Sequence, residues 1–307
     1  MKLIDSHCHI HESEFFPDVA EQESAYQRAI DAGVAIVCVA TSEKASREAL
    51  DFVSSHDDTW AILGVHPHEA KDGCAAIGEI LARCMTSETA SARQEPVSAT
   101  PWVPAELASL KQSSARQEVP SPDSWACADV SGAMQRANPM KIVGIGEIGL
   151  DYYYNNSPRD VQIAVLEQQL QWAMDYDLPV SFHVREAFAD FWPIFDNFHG
   201  IRGVLHSFTD AQANLDEGFS RGLYVGVNGI STFTKDAAQQ QLFAGIPLEK
   251  MLLETDAPFL TPAPLRGKMN EPSYVGRVAE HAAALRGVSV DAVSRTTTDN
   301  TRRLFVI

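Results

Sequence analysis

The chain has 307 residues, 45% of them hydrophobic and 21% charged, with a formal net charge of -17. That length and balance suit one large α/β barrel or two smaller domains of a globular protein. The acid excess rules out a general basic surface for a polyanion, so a nucleic-acid partner would have to be held by local cations or metal ions.

The first predicted strand, residues 2–10, contains His-Cys-His. Side chains alternate along a strand, so His7 and His9 face one way and Cys8 the other, and two imidazoles on one face can grip one metal ion. Strands follow at 34–40 and 60–65, the third ending in Gly-Val-His66-Pro-His68. Residues 86 to about 138 are rich in Ser, Ala, Pro and Gln and lack a sustained apolar period. They carry an internal echo, SARQEPVS at 91–98 and SARQEVPS at 114–121. Too little apolar surface is available there to offset the ordering entropy, which predicts a largely mobile insertion between strands 3 and 4 of a single domain spanning 1–307.

The fourth strand, 141–146, runs into GEIGLDYYY, which places Glu147 just past its end. A helix is predicted over 160–175, where Val161, Val165, Leu166 and Leu170 recur at helical spacing. Strands at 179–184 and 202–207 carry His183 and His206 late in their course, and a seventh covers 222–227. The eighth, 250–255, leads into Glu254-Thr-Asp256. A helix over 274–286 is introduced by Pro272 and stopped by Gly287. Trp60, Trp172 and Trp192 lie inside elements and are expected in the core.

Strand and helix alternating eight times predict a TIM-type (β/α)8 barrel of parallel strands. The competitor, a doubly wound open sheet, lacks its Gly-rich nucleotide loop after the first strand. Cys8, Cys38, Cys74, Cys84 and Cys127 are odd in number and scattered, unlike a disulfide framework. No apolar run approaches the roughly 20 residues of a membrane span, and the N-terminus lacks a signal-peptide pattern. A cytoplasmic protein with no membrane partner is expected, with a monomer favoured.

In a parallel barrel all strand C-termini open on one face, the face that carries chemistry. His7, His9, Glu147, His183, His206 and Asp256 come from five strands and all fall at that end. Four imidazoles and two carboxylates exceed the needs of one tetrahedral ion but suit two ions sharing a bridge. Glu147, between the two histidine sets, is the natural bridge. Nitrogen and oxygen ligands without a thiolate leave zinc, manganese, magnesium or iron open, and the imidazoles favour a transition metal over magnesium.

The motifs HCH, GVHPH, GEIGLDYY, FHVRE, LHSF, LLETDAPFL and the RGKMNEPSYV run, in this order, resemble the TatD family of metal-dependent deoxyribonucleases, which are amidohydrolase-type metallo-barrels. The resemblance implies one ion held by His7, His9 and Asp256, another by His183 and His206, and Glu147 bridging. It also implies a divalent-metal DNase with 3′-to-5′ exonuclease action on DNA. The chain departs from the family in its long insertion, in Tyr154 where a basic residue is usual, and in His11, which extends the N-terminal motif to H-x-H-x-H. None of the six ligand positions is altered. His11, past the strand end, is expected beside the ligands or in solvent.

In such a site two dications would bring the pKa of a bound water towards neutrality and offset the charge that builds on the phosphoryl oxygens. Asp256 has a spare oxygen with which to take the water's proton, making Asp256 and Glu147 the catalytic carboxylates. His66 and His68 are expected to touch substrate phosphate or orient a ligand. Arg266, followed by Lys268 and Asn270, lies where this architecture often holds phosphate, and a guanidinium can do so bidentately. Glu254 is read as orienting a neighbour. Of Tyr152, Tyr153 and Tyr154, one is expected to stack on bases and two to pack on the rim.

Rival reactions on the same scaffold are hydrolysis of amides, lactones, phosphotriesters or an aminoacyl-tRNA ester. Many such barrels bridge their ions with a modified lysine where this chain has Glu147, which favours the nuclease. A non-catalytic scaffold is the remaining alternative, and an intact ligand set speaks against it.

Overall fold

The computed structural model describes residues 3–85 and 141–307. The expected insertion and Cys127 lie outside the described residues. Eight parallel strands pair in sequence order: β1 (Leu3–Cys8), β2 (Val34–Val39), β3 (Thr59–Leu63), β4 (Ile142–Asp151), β5 (Val180–Arg185), β6 (Gly203–Leu205), β7 (Tyr224–Val227) and β8 (Met251–Leu253). The ends of the sheet meet where Ser6 Oγ donates to Leu253 O at 3.0 Å. Asp256 N donates to His7 O, and His9 N to Ala257 O, each at 2.9 Å. The sheet is thus a nearly closed barrel.

The described helices are α1 (Val19–Asp31), α2 (Glu43–Ser55), α3 (Ala75–Cys84), α4 (Arg159–Asp175), α5 (Phe188–Phe195), α6 (Gln212–Ser220), α7 (Ile230–Phe233), α8 (Ala237–Gly245), α9 (Val275–Arg286) and α10 (Val290–Phe305). Local chemistry sets their ends. Ser42 Oγ accepts from Ala45 N to start α2, and Ser289 does the same for Ala292 N at α10. Gly287, at φ 64°, ends α9 in the left-handed conformation that glycine adopts at little cost. No described helix is long and apolar enough to cross a membrane.

Two apolar layers follow from strand alternation. Val34, Ile36 and Cys38 of β2 pack outward under the helices, while Val37 and Val39 join Ile4, Ile62, Val143, Val204 and Leu252 in the barrel interior. Leu304 and Phe305 of α10 belong to that interior cluster too. Apolar side chains therefore fill the interior, and the polar constellation gathers at the strands' C-terminal ends.

Two irregularities re-aim side chains into that end. Ile4 faces inward and Cys8 outward, although strict alternation would put them on one face. A register shift between Asp5 and Cys8 reconciles them and turns His7 inward. A second shift, between Ile145 and Ile148, falls on the stretch carrying Glu147. The tight approach of β4 to β5 needs glycine, because a Cβ on Gly149 would stand 1.8 Å from His183 O.

Some element edges differ from the sequence expectation. β4 runs on to Asp151, so Glu147 lies inside it. β6 and β8 are only three residues long. Positive φ at Ser207 (47°) and Asp256 (60°) breaks the extended backbone soon afterwards. Trp192 is buried, whereas Trp60 and Trp172 are half-buried and pack on the core from its edge.

Candidate metal centre

Glu147 is the hub of the polar end. One carboxylate oxygen lies 2.9 Å from His183 Nδ1, 3.5 Å from His66 Nε2 and 3.6 Å from His206 Nε2. The other lies 3.3 Å from His7 Nε2 and 3.8 Å from His9 Nε2. The two oxygens thus face different histidine groups. Asp256 closes the site from the turn after β8, its Oδ1 3.3 Å from His9 Nε2, 3.7 Å from His206 Nε2 and 3.9 Å from His7 Nε2. Aspartate tolerates the left-handed backbone there better than most residues.

Each imidazole is held from behind. His7 Nδ1 contacts Ser181 Oγ at 3.1 Å and His9 Nδ1 contacts Val39 O at 2.8 Å. His183 Nε2 lies 2.9 Å from Asp151 Oδ2, and His206 Nδ1 lies 3.1 Å from Glu254 Oε1. One ring nitrogen of each histidine is thereby turned towards Glu147, the arrangement by which outer partners fix tautomer and orientation of a ligand. Asp151 and Glu254 are themselves held. Tyr153 N and Tyr154 N donate to Asp151, and Ser207 N to Glu254. Glu254 fits because residue 226 is glycine, where a Cβ would meet Glu254 Oε2 at 2.2 Å.

Electrostatics follow from this packing. Burial alone would raise Glu147, but the imidazoles of His206 and His66, with hydrogen bonds from His183 and His7, hold it well below the usual carboxylate range. Burial lowers His206, yet the Glu254, Glu147 and Asp256 carboxylates push it up to about 9. His7 is lowered by burial and by its stacked neighbour His206, 3.6 Å away between ring centroids.

The residues fit a metal. Three donor groups lie close enough to share an ion: His7, His9 and Asp256; His7, His206 and Glu254; and His66, Glu147 and His183. His7 Nε2 is buried without a hydrogen bond between two carboxylates, an orphan nitrogen that a cation would satisfy.

All six ligand positions named from the sequence meet here. Around them, His66 joins Glu147 and His183 in one donor group and Glu254 joins His7 and His206 in another, while His183 and His206 both face the same Glu147 oxygen. His66 therefore belongs to the donor cluster itself. His68 sits behind, its Nε2 3.1 Å from Asp151 Oδ2.

His11 is not in solvent. Its ring is fully buried, neither nitrogen has a hydrogen-bond partner, and burial with the neighbouring His9 lowers it well below the usual imidazole range. Arg266 does not join the cluster. Its guanidinium donates to Thr261 O at 2.9 Å and lies 3.9 Å from the Phe233 ring, because its loop folds back on itself. Asn270 is buried, with its amide on the Thr255 and Phe259 carbonyls. Among the three tyrosines, Tyr152 alone packs down, under Arg159 and bonded to Asp190, while Tyr153 and Tyr154 are both exposed.

Asp151 went unnoticed in the sequence. Its position four residues after Glu147, on the same face of a continuing strand, was the available signal.

Comparison with known proteins agrees with this architecture. Residues 4–306 match the family model described as TatD related DNase. An uncharacterized metal-dependent hydrolase of Bacillus subtilis, YabD, is 30% identical over 308 residues, covering 99% of each chain. The 3′-5′ ssDNA/RNA exonuclease TatD of Citrobacter rodentium is 28% identical over 299 residues, 94% of this chain and 93% of that one. The crystal structure of the TatD homologue YjjV from Escherichia coli shares the fold, with a TM-score of 0.74 at 24% identity over 99% of this chain and 98% of that one. The chain belongs to the TatD-related DNase family and is a metal-dependent hydrolase.

Proposed function

We propose that the chain hydrolyses phosphodiester bonds at DNA strand ends, as a 3′-5′ exonuclease using two divalent ions. The observation that carries this is the position of Glu147, whose two oxygens face separate imidazole groups within 3.8 Å. In this reading His7, His9 and Asp256 would hold one ion and His183 and His206 the other, with Glu147 contributing to both. The imidazole-rich set favours zinc or manganese. When bound, the ions supply an activated water and offset the negative charge of the scissile phosphate.

The chain's own groups do the rest. Among the acidic groups that face these imidazoles, Asp256 has the most solvent access, its side chain 13% exposed against 4% for Glu147, 3% for Glu12 and 0% for Asp151 and Glu254. It takes the water's proton and passes it to solvent, a role open to a carboxylate beside the reacting atoms. Glu254 and Asp151 keep His206 and His183 turned inward. His66, within the donor cluster, and His68, behind it on Asp151, meet the substrate phosphate. One chain supplies every group, so a monomer suffices. The described cysteines are free thiols, in keeping with a reducing cytoplasm.

The test is incubation of metal-stripped protein with end-labelled DNA oligonucleotides, resupplied with one divalent ion at a time. A ladder shortening from the 3′ end on addition of zinc or manganese supports the reading. Hydrolysis confined to amide or lactone substrates overturns it.

A further inference from the structure

We propose that the barrel mouth holds two unpaired nucleobases against two opposed aromatic walls, Tyr153 with Tyr154 on one side and Phe259 on the other. These rings hold the bases beside the bond that is cut; this rests on the phosphodiesterase reading above.

The walls are exposed where large aromatics are ordinarily covered. Tyr153 and Tyr154 are each 54% exposed and Phe259 is 45% exposed. The tyrosines follow β4 and the phenylalanine follows β8, and strands four apart in a ring of eight stand on opposite sides of it. Each wall adjoins the polar cluster through ring contacts. Tyr154 lies 5.3 Å from His68 between centroids, and Phe259 lies 6.4 Å from His9. Both walls are braced, Phe259 edge-on against Phe15 at 5.1 Å and Tyr153 against Tyr154 at 4.8 Å.

The charge pattern names the occupant. Arg185 lies 4.1 Å from the Tyr153 ring and 4.8 Å from that of Tyr154. It forms no ion pair among the described residues, in a chain whose net charge is -17. A free guanidinium lying on flat rings beside a phosphodiester site suits a nucleotide, whose base stacks while its phosphate meets the cation. A protein partner would instead favour a continuous apolar patch, and here the polar side-chain cluster separates the two walls. Bases inside a duplex already stack on each other, so only an unstacked base can present its face to these rings.

The experiment uses the metal-loaded enzyme and a fluorescein-labelled single strand with phosphorothioate linkages, binding being read by anisotropy. Phe259→Ala and the pair Tyr153→Ala/Tyr154→Ala should each weaken binding about 5- to 150-fold, the range for one stacked base. Phe259→Tyr should restore it. On a strand with abasic residues at its 3′ end, the penalty of each alanine variant should shrink to less than about twofold. Equal penalties on normal and abasic strands, or none on either, overturn the proposal. Because binding is measured without cleavage, a wild-type chain that binds through these rings yet cuts no DNA would defeat the hydrolytic reading and leave the walls supported.

Discussion

His9 Nε2 lies 3.3 Å from Asp256 Oδ1, joining the end of the first strand to the turn that follows the last. The backbone repeats the link, with Asp256 N on His7 O and His9 N on Ala257 O. The seam that closes the barrel and one wall of the donor cluster are therefore the same few residues.

Metal should accordingly stabilise the fold. At ions about a hundredfold above Kd, ligand linkage adds about 2.7 kcal/mol per ion, or roughly 4 °C in midpoint per ion for a chain of this size. Differential scanning fluorimetry of chelator-stripped protein, with and without zinc or manganese, measures the rise. Glu147→Gln should lose most of it, since both donor groups lean on that carboxylate.

Asp256→Asn removes the proton acceptor and a charge from the cluster. At saturating metal, kcat should fall about 10²- to 10⁴-fold, the usual contribution of a positioned acid or base. Single-turnover assays across an ion titration separate this from weakened metal binding. Full turnover at saturation would exclude the role.

Glu254 acts through His206, so its loss should appear in metal affinity. Glu254→Gln should weaken metal binding about 10- to 100-fold, as measured by competition with a chromophoric chelator. Gly226→Ala should do likewise, because its Cβ would displace the same carboxylate. The double variant should fall well short of the summed effects, since both changes disturb one contact.

Asp151→Asn tests the other flank. It keeps the shape but removes the carboxylate that His183 and His68 share. Metal affinity should drop about 10- to 100-fold, while His68→Ala, which leaves His183 anchored to Asp151, should cost much less. Equal losses in the two variants would place His68 among the metal donors instead.

The sequence made the barrel legible because apolar β-branched runs and helical periods alternate eight times. The donors could be read for a related reason: parallel strands bring their last residues to one end, so position along a strand reveals position in the fold. Side-chain direction past a strand end was harder to read. His11 was expected beside the ligands or in solvent, and the turn after β1 buries it beside His9. His66 was expected to touch substrate phosphate or orient a ligand, and the turn at Pro67 points its ring at Glu147. Arg266 was chosen for its chemistry, and a fold-back within its own loop, invisible to motif spacing, carries it onto Phe233. The inward aim of His7 and Glu147 depends on register shifts that strict alternation cannot reveal.

The central claim is a pair of cations sharing Glu147. Anomalous diffraction from crystals grown with zinc or manganese tests it most directly. Two peaks are predicted, each about 2.0–2.2 Å from a Glu147 oxygen, one bounded by His7, His9 and Asp256 and the other by His183 and His206. A barrel whose anomalous density lies elsewhere, or shows nothing against Glu147, would contradict it.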